Sequence, residues 1–224
     1  MGIMKSISLR KNIAQTEFDY QTLMDALKEY SRPRSKVSAL LCKGTIIRVK
    51  KGLYVLGEDE RSQPICRELL ANLIYGPSYI SFEFALFHYG LIPERAEMIT
   101  SVCLGRSRTF ETPVGCFSYR MTPLESFRAG MDRIELPDGR AFLMATPEKA
   151  LADTLISDRG AAISTHKDLL DYLFNHLRID SEYLRKLDLE SLLDISVRCR
   201  SRRVRLLAAV VSSLKKVNAG VRNA

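Results

Sequence analysis

The sequence predicts an α+β fold, and three observations carry that expectation. Two short helical patterns near the N-terminus lead into a pair of strand-like runs. A block of short alternating segments split by Gly, Pro and Ser fills the middle, and the last quarter reads as helical throughout. With 224 residues, 46% of them hydrophobic, the chain can bury a core in one large domain or two small ones.

Residues 20–30 (YQTLMDALKEY) set Leu23, Leu27 and Tyr30 on one helical stripe beside Met24 and Ala26, with Asp19 as N-cap. In the following SRPRS, Ser31 is the expected cap of a second helix, and Pro33 falls in its first turn, where a missing N–H is harmless. Val37, Leu40 and Leu41 form the apolar face of that helix, which runs to about Cys42, and Gly44 suits its end. TIIRV and LYVL then read as strands joined by KKG. A three-helix version of such a module would draw its extra helix from residues 6–16.

The polar connector EDER (58–61) marks the expected boundary between a domain of residues 1–57 and one of residues 58–224. Residues 62–76 form an amphipathic pattern of about three turns ending at Gly76-Pro77. SYISFEFALFHYG (78–90) is expected as a short helix capped by Ser81, with Glu83 at its positive end and Gly90 closing it. EMITSVCLG, SRTFET, GCFSYRM, RIEL and RAFLMA predict a small antiparallel sheet, with Pro137-Asp138-Gly139 as a hairpin turn. In TPEKALADTLIS, Thr146 caps and Pro147 takes the first helical position, with Ala150, Leu151, Thr154 and Leu155 facing inward. Four more helices are expected at 166–177, 181–187, 189–200 and 201–217, within a helical part spanning 161–224.

Charge sharpens this outline. The net charge is +8, distributed as +7 over residues 1–57, −7 over 58–197 and +8 over 198–224. Such asymmetry points to a polyanionic partner. Helix, tight turn, helix and β-hairpin in that order describe a winged helix-turn-helix. Its second helix would enter the major groove of double-stranded DNA, presenting Arg32, Arg34, Ser35, Lys36 and Lys43. A hairpin tip carrying Arg48, Lys50 and Lys51 would lie against the backbone or minor groove. A secondary basic site is Arg198, Arg202 and Arg205, which fall on one helical face at i, i+4 and i+7. That face could touch phosphates, an acidic partner, RNA or only solvent.

Signals for chemistry are sparse. The five cysteines are widely spaced with no C-x-x-C pair, and the three histidines fall in no ligand pattern, so neither metal nor cofactor is expected. No phosphate-loop, dinucleotide or nucleophile-elbow motif is present, and no catalytic residues are assigned. Gly105-Arg106-Ser107-Arg108 reads as a solvated turn, His88 as a packed or surface histidine, and Glu148 and Asp153 do not share a helix face. Tyr79, Phe82, Phe84, Phe87 and Tyr89 cover more than one face, mostly as core. No apolar run reaches the roughly 18 residues of a membrane span, nor is there a signal-peptide core, so a cytoplasmic protein is expected.

KGLYVL, GPSYISFEFALFHYGLIP, ITSVCLGRSRTFETPVGCFSYRM and ATPEKALADTL, in this order and spacing, resemble the AbiEi family of bacterial type IV toxin–antitoxin systems over roughly residues 20–157. The resemblance implies a repressor whose N-terminal winged helix binds the promoter of its own operon, as a monomer or homodimer. It also implies a C-terminal antitoxin domain that counteracts a nucleotidyltransferase-like toxin without requiring a stable complex. The alternative is an effector-responsive winged-helix regulator with no toxin partner. A neighbouring toxin gene, or none, separates the two.

Overall fold

A computed structural model describes Leu9 and residues 12–221, and it has the expected α+β class. Of the extra helix sought at 6–16, residues 6–8, 10 and 11 lie outside the described part; residues 12–16 are not helical and lead into a strand.

The N-terminal part contains β1 (Glu17–Asp19), α1 (Tyr20–Ala26), α2 (Pro33–Cys42), β2 (Ile46–Lys50) and β3 (Leu53–Leu56). The strands form an antiparallel sheet in the order β1-β3-β2. Asp19 caps α1 as expected, its carboxylate accepting the Thr22 N–H at 2.8 Å. The helix is shorter than its apolar stripe suggests: it ends at Ala26, and Leu27 to Tyr30 form a turn closed by Tyr30 N–H to Leu27 C=O. Leu23, Leu27, Val37, Leu40, Ile46, Tyr54 and Leu56 build one apolar core here.

The hairpin is also the partition between this core and a larger one. Tyr54 and Leu56 point into the N-terminal core, while Val49, Leu53 and Val55 join the core of the rest of the chain. All four residues of β3 are buried, because successive side chains alternate between two covered faces.

The larger core surrounds a six-stranded sheet of β4 (Ser78–Ile80), β5 (Ile99–Cys103), β6 (Arg108–Thr112), β7 (Gly115–Met121), β8 (Met131–Glu135) and β9 (Ala141–Ala145), ordered β6-β7-β5-β4-β9-β8. This corrects the small antiparallel sheet. The observed sheet is mixed, with β5 parallel to β7 and β4 parallel to β9. The missing strand was β4, placed inside a helix by the sequence reading. Three residues, buried on both faces, show neither alternation nor a helical period. The helix proper, α4, is Phe82–His88. Its N-cap is Ser81 as expected, but the Ser81 hydroxyl donates to Asp153 at 2.8 Å instead of capping. The Pro137-Asp138-Gly139 turn joins β8 to β9, with Gly139 at φ +83°.

On one side of this sheet, α3 (Arg67–Ile74) also completes a strand edge. Asn72 receives the Leu143 N–H at 2.6 Å and donates back to the Leu143 carbonyl, groups that β4 is too short to pair. After a short α5 (Leu124–Phe127), the opposite side is covered by α6 (Pro147–Ser157), capped by Thr146 onto Lys149 N–H. The remaining helices are α7 (His166–Asp171), extended by a π-helical turn over Tyr172–His176, then α8 (Ser181–Lys186), α9 (Leu189–Cys199) and α10 (Arg202–Val221), close to the expected positions. Among the described residues, no helix is long and apolar enough to cross a membrane.

Candidate nucleic-acid interface

The residue before a proline is excluded from helical backbone by the proline ring, so α2 begins at Pro33 with Arg32 in the N-cap position at φ −133°, ψ 72°. Ser31 is therefore one residue too early to cap, and Arg32 makes no capping hydrogen bond. The first turn holds no carboxylate. The positive end of the helix dipole thus meets Arg32, Arg34 and Lys36, an arrangement of like signs that an anion would relieve.

Val37 and Leu40 face the core, leaving Arg34, Ser35, Ser38, Ala39, Cys42 and Lys43 exposed. Four of these six are small, so a partner could approach the helix backbone closely between the two cations. Lys36 is half-buried, its ammonium 5.0 Å from the Tyr30 ring centroid. On the β2–β3 hairpin, Arg48 and Lys51 are exposed, and Gly52 makes the tip turn at φ +88°. Among the described residues, no carboxylate pairs with Arg32, Arg34, Lys36, Lys43, Arg48 or Lys51.

Lys50 differs from the tip lysine the sequence suggested. It turns back onto the body and donates to the Ile74 carbonyl at the C-terminal end of α3, where the helix dipole favours a cation.

A second clamp fixes the N-terminal sheet to the larger sheet. Glu17, 1% exposed in its side chain, accepts from Arg140 Nη1 at 2.9 and 3.2 Å and from the Cys66 N–H at 2.6 Å. Arg140 also holds Asp138 at 2.7 Å and the Pro64 carbonyl at 2.9 Å. Its guanidinium beside Asp138 keeps that carboxyl below the ordinary carboxylate range. Glu17 and Arg140 are 123 residues apart, and no local pattern announces their pairing.

The C-terminal basic run is not one helix. Arg198 lies on α9, where its Nε donates to both Asp194 oxygens at 2.8 and 3.0 Å. The chain then turns through Arg200 in left-handed backbone at φ +49°, and α10 starts at Arg202. Arg198, Arg202 and Arg205 consequently share no single face. Arg202 reaches the Ser164 carbonyl at 3.5 Å and Arg205 is exposed. The arginine most engaged in this run is Arg203, which the sequence reading passed over. It donates to the carbonyls of Leu155, Asp158 and Ala161, collecting acceptors at and just beyond the end of α6.

Elsewhere, Arg108 lies over the Tyr75 ring at 5.6 Å, and Gly105 is required by the same ring: a Cβ there would sit 2.2 Å from the Tyr75 hydroxyl. His88 is exposed and packs edge-on against Tyr89. Tyr79 and Phe82 are core, Phe84 and Tyr89 half-buried, and Phe87 exposed. Among the described residues, no group of three His, Cys, Asp or Glu side chains is placed to hold a metal.

No family model and no curated protein matches the chain. The solved structures that align with it include a candidate nucleotidyltransferase from Helicobacter pylori, at 12% identity over 69% of this chain and 93% of that one with a TM-score of 0.32, and JHP933 from Helicobacter pylori, at 13% identity over 70% and 91% with a TM-score of 0.31. Scores this low leave the function of the chain to its own residues.

Proposed function

We propose that the chain is a DNA-binding repressor in which α2 enters the major groove of operator DNA and the β2–β3 hairpin lies on the adjoining backbone. Residues 1–57 are then a winged helix-turn-helix, and residues 58–224 an antitoxin domain. The carrying observation is that, among the described residues, no carboxylate pairs with Arg32, Arg34 or Lys36 at the start of α2, with Lys43 at its end, or with Arg48 and Lys51 on the hairpin. The protein acts by occupying the promoter rather than by catalysis. The AbiEi resemblance supports autoregulation and a role against a nucleotidyltransferase-like toxin. The C-terminal arginines are at most a secondary contact.

Fluorescence anisotropy with the duplex upstream of the gene, against a scrambled duplex over a salt series, tests this. Preference for the native duplex is expected, with Arg34→Gln and Lys43→Gln each lowering the salt slope by about one unit. Equal binding to both duplexes would remove the repressor reading. Co-expression with a neighbouring nucleotidyltransferase gene, scored by growth, tests the antitoxin role.

A further inference from the structure

A compact cluster of ionisable groups lies between the large sheet and the C-terminal helices, away from α2 and the wing. Lys149 on α6 is wholly buried. Its ammonium sits 2.7 Å from Asp153 Oδ1 and 3.6 Å from the sulfur of Cys199, the last residue of α9. The other Asp153 oxygen accepts from the Tyr79 hydroxyl at 3.1 Å and the Ser81 hydroxyl at 2.8 Å. Gly130 keeps the lysine in place: a Cβ there would come within 2.7 Å of Lys149 Cβ and 2.9 Å of Ile195 Cδ1. Lys149 therefore has one carboxylate and one thiol for partners, and little room to turn elsewhere. Cys199 is partly exposed and Lys149 is not, so a small oxidant can reach the sulfur while the nitrogen waits behind it. Among the described residues, Cys199 is the only cysteine whose sulfur accepts from an ammonium.

We propose that Lys149 and Cys199 form a reversible covalent cross-link, a sulfenamide, when the protein meets hydrogen peroxide. The Cys199 sulfur attacks the peroxide, an S–O bond forms, the O–O bond breaks and water leaves, giving the sulfenic acid. Lys149 passes a proton to Asp153 Oδ1; burial raises the affinity of that carboxyl for a proton. The neutral amine then attacks the sulfur. An N–S bond forms, the S–O bond breaks, and the departing hydroxide takes the second amine proton as water. One peroxide is consumed, two waters are released, and the protein loses two hydrogens. One small thiol attacks the sulfur and breaks the N–S bond, returning the amine and leaving a mixed disulfide, and a second thiol releases the Cys199 thiol as the small disulfide departs. The link fastens α6 to the junction of α9 and α10.

The test is peptide mapping of the full chain carrying Cys42→Ser and Cys116→Ser, which removes the two exposed thiols. Folded protein is treated with equimolar hydrogen peroxide, alkylated and digested with trypsin. The expected product is peptide 141–159, uncut after Lys149, joined to the Cys199–Arg200 dipeptide with the mass of two hydrogens lost. It disappears with dithiothreitol and with Cys199→Ser, and falls at least tenfold when peroxide is added in urea. Recovery of Cys199 as an alkylated thiol or a sulfinic acid, with normal cleavage after Lys149, would overturn the proposal. So would equal yield from folded and urea-treated protein. Lys149→Met should push Cys199 on to the sulfinic acid; if that variant does not fold, the urea comparison decides.

Discussion

Arg34 on α2 and Lys149 on α6 are both cations near the start of a short helix, and their surroundings are opposite. Arg34 stands in solvent with Arg32 and Lys36 beside it, and among the described residues no carboxylate pairs with it. Lys149 is sealed from water, and the carboxylate that answers it is itself fixed by two hydroxyls. A buried charge must be compensated inside the fold, because desolvation is severe. An exposed one need not be, and a cluster left uncompensated is available to an outside partner. The contrast separates charges that hold structure from charges left open to solvent.

Breaking the buried side should have the largest effect. Asp153→Ala leaves Lys149 without a counter-charge, and is expected to destabilise the protein by about 3–5 kcal/mol in denaturant unfolding. A loss below about 1 kcal/mol would mean that water enters the cluster. Glu17→Ala removes the acceptor shared by Arg140 and the Cys66 N–H, and should cost about 1.5–3 kcal/mol. The cost is smaller because Arg140 retains Asp138.

Acid sharpens the same contrast. The carboxyls of Asp158, Asp168 and Asp188 are held below their ordinary value by the Tyr172 hydroxyl, the Ser164 N–H and the Ser191 hydroxyl respectively. A carboxyl with a lowered folded-state value stabilises the fold above its unfolded value and loses that contribution as pH falls through the folded one. In the N-terminal part Asp19 behaves in the same way, through the Thr22 N–H. Circular dichroism between pH 7 and 2 should therefore show stability falling below about pH 4. Asp188→Asn should flatten that fall.

The exposed side predicts small structural effects and a measurable binding effect. Arg34→Gln with Lys43→Gln should leave unfolding within about 0.5 kcal/mol of the parent while reducing the DNA salt slope. The smallest effect on binding is expected from Lys50→Met, since that ammonium already belongs to Ile74. A slope reduced as much as by Lys51→Met would show that Lys50 leaves α3 for phosphate.

Legibility in the sequence followed the range of the interactions. Asp19, Thr146, Pro147 and the 137–139 turn act on neighbours a few residues away, and local pattern found them. The order of α1, α2, β2 and β3 was legible for the same reason, as was the exposure of Arg34 and Lys43. Strand β4 was not, because three residues buried on both faces carry no period. The turn of Lys50 toward α3, the Glu17–Arg140 clamp and the Lys149–Cys199 contact depend on segments 24, 123 and 50 residues apart. The boundary between the helices expected at 189–200 and 201–217 was legible, but the single arginine face drawn across it ignored that boundary. The left-handed backbone at Arg200 was not legible, since neither Gly nor Asn occupies the position.

Strand β3, with one row of side chains in each core, bears on how the molecule comes apart. Separating the two parts would strip Leu53, Val55 and Val49 of their cover and leave a bare apolar face on the smaller piece. The protein should accordingly melt in a single transition, and the amides of β3 should be among the last in the first sixty residues to exchange with deuterated water. A small unit joined in this way inherits the rigidity of what lies behind it. Under the proposed DNA-binding role, a partner that reshapes the body would be felt at α2 through this shared strand.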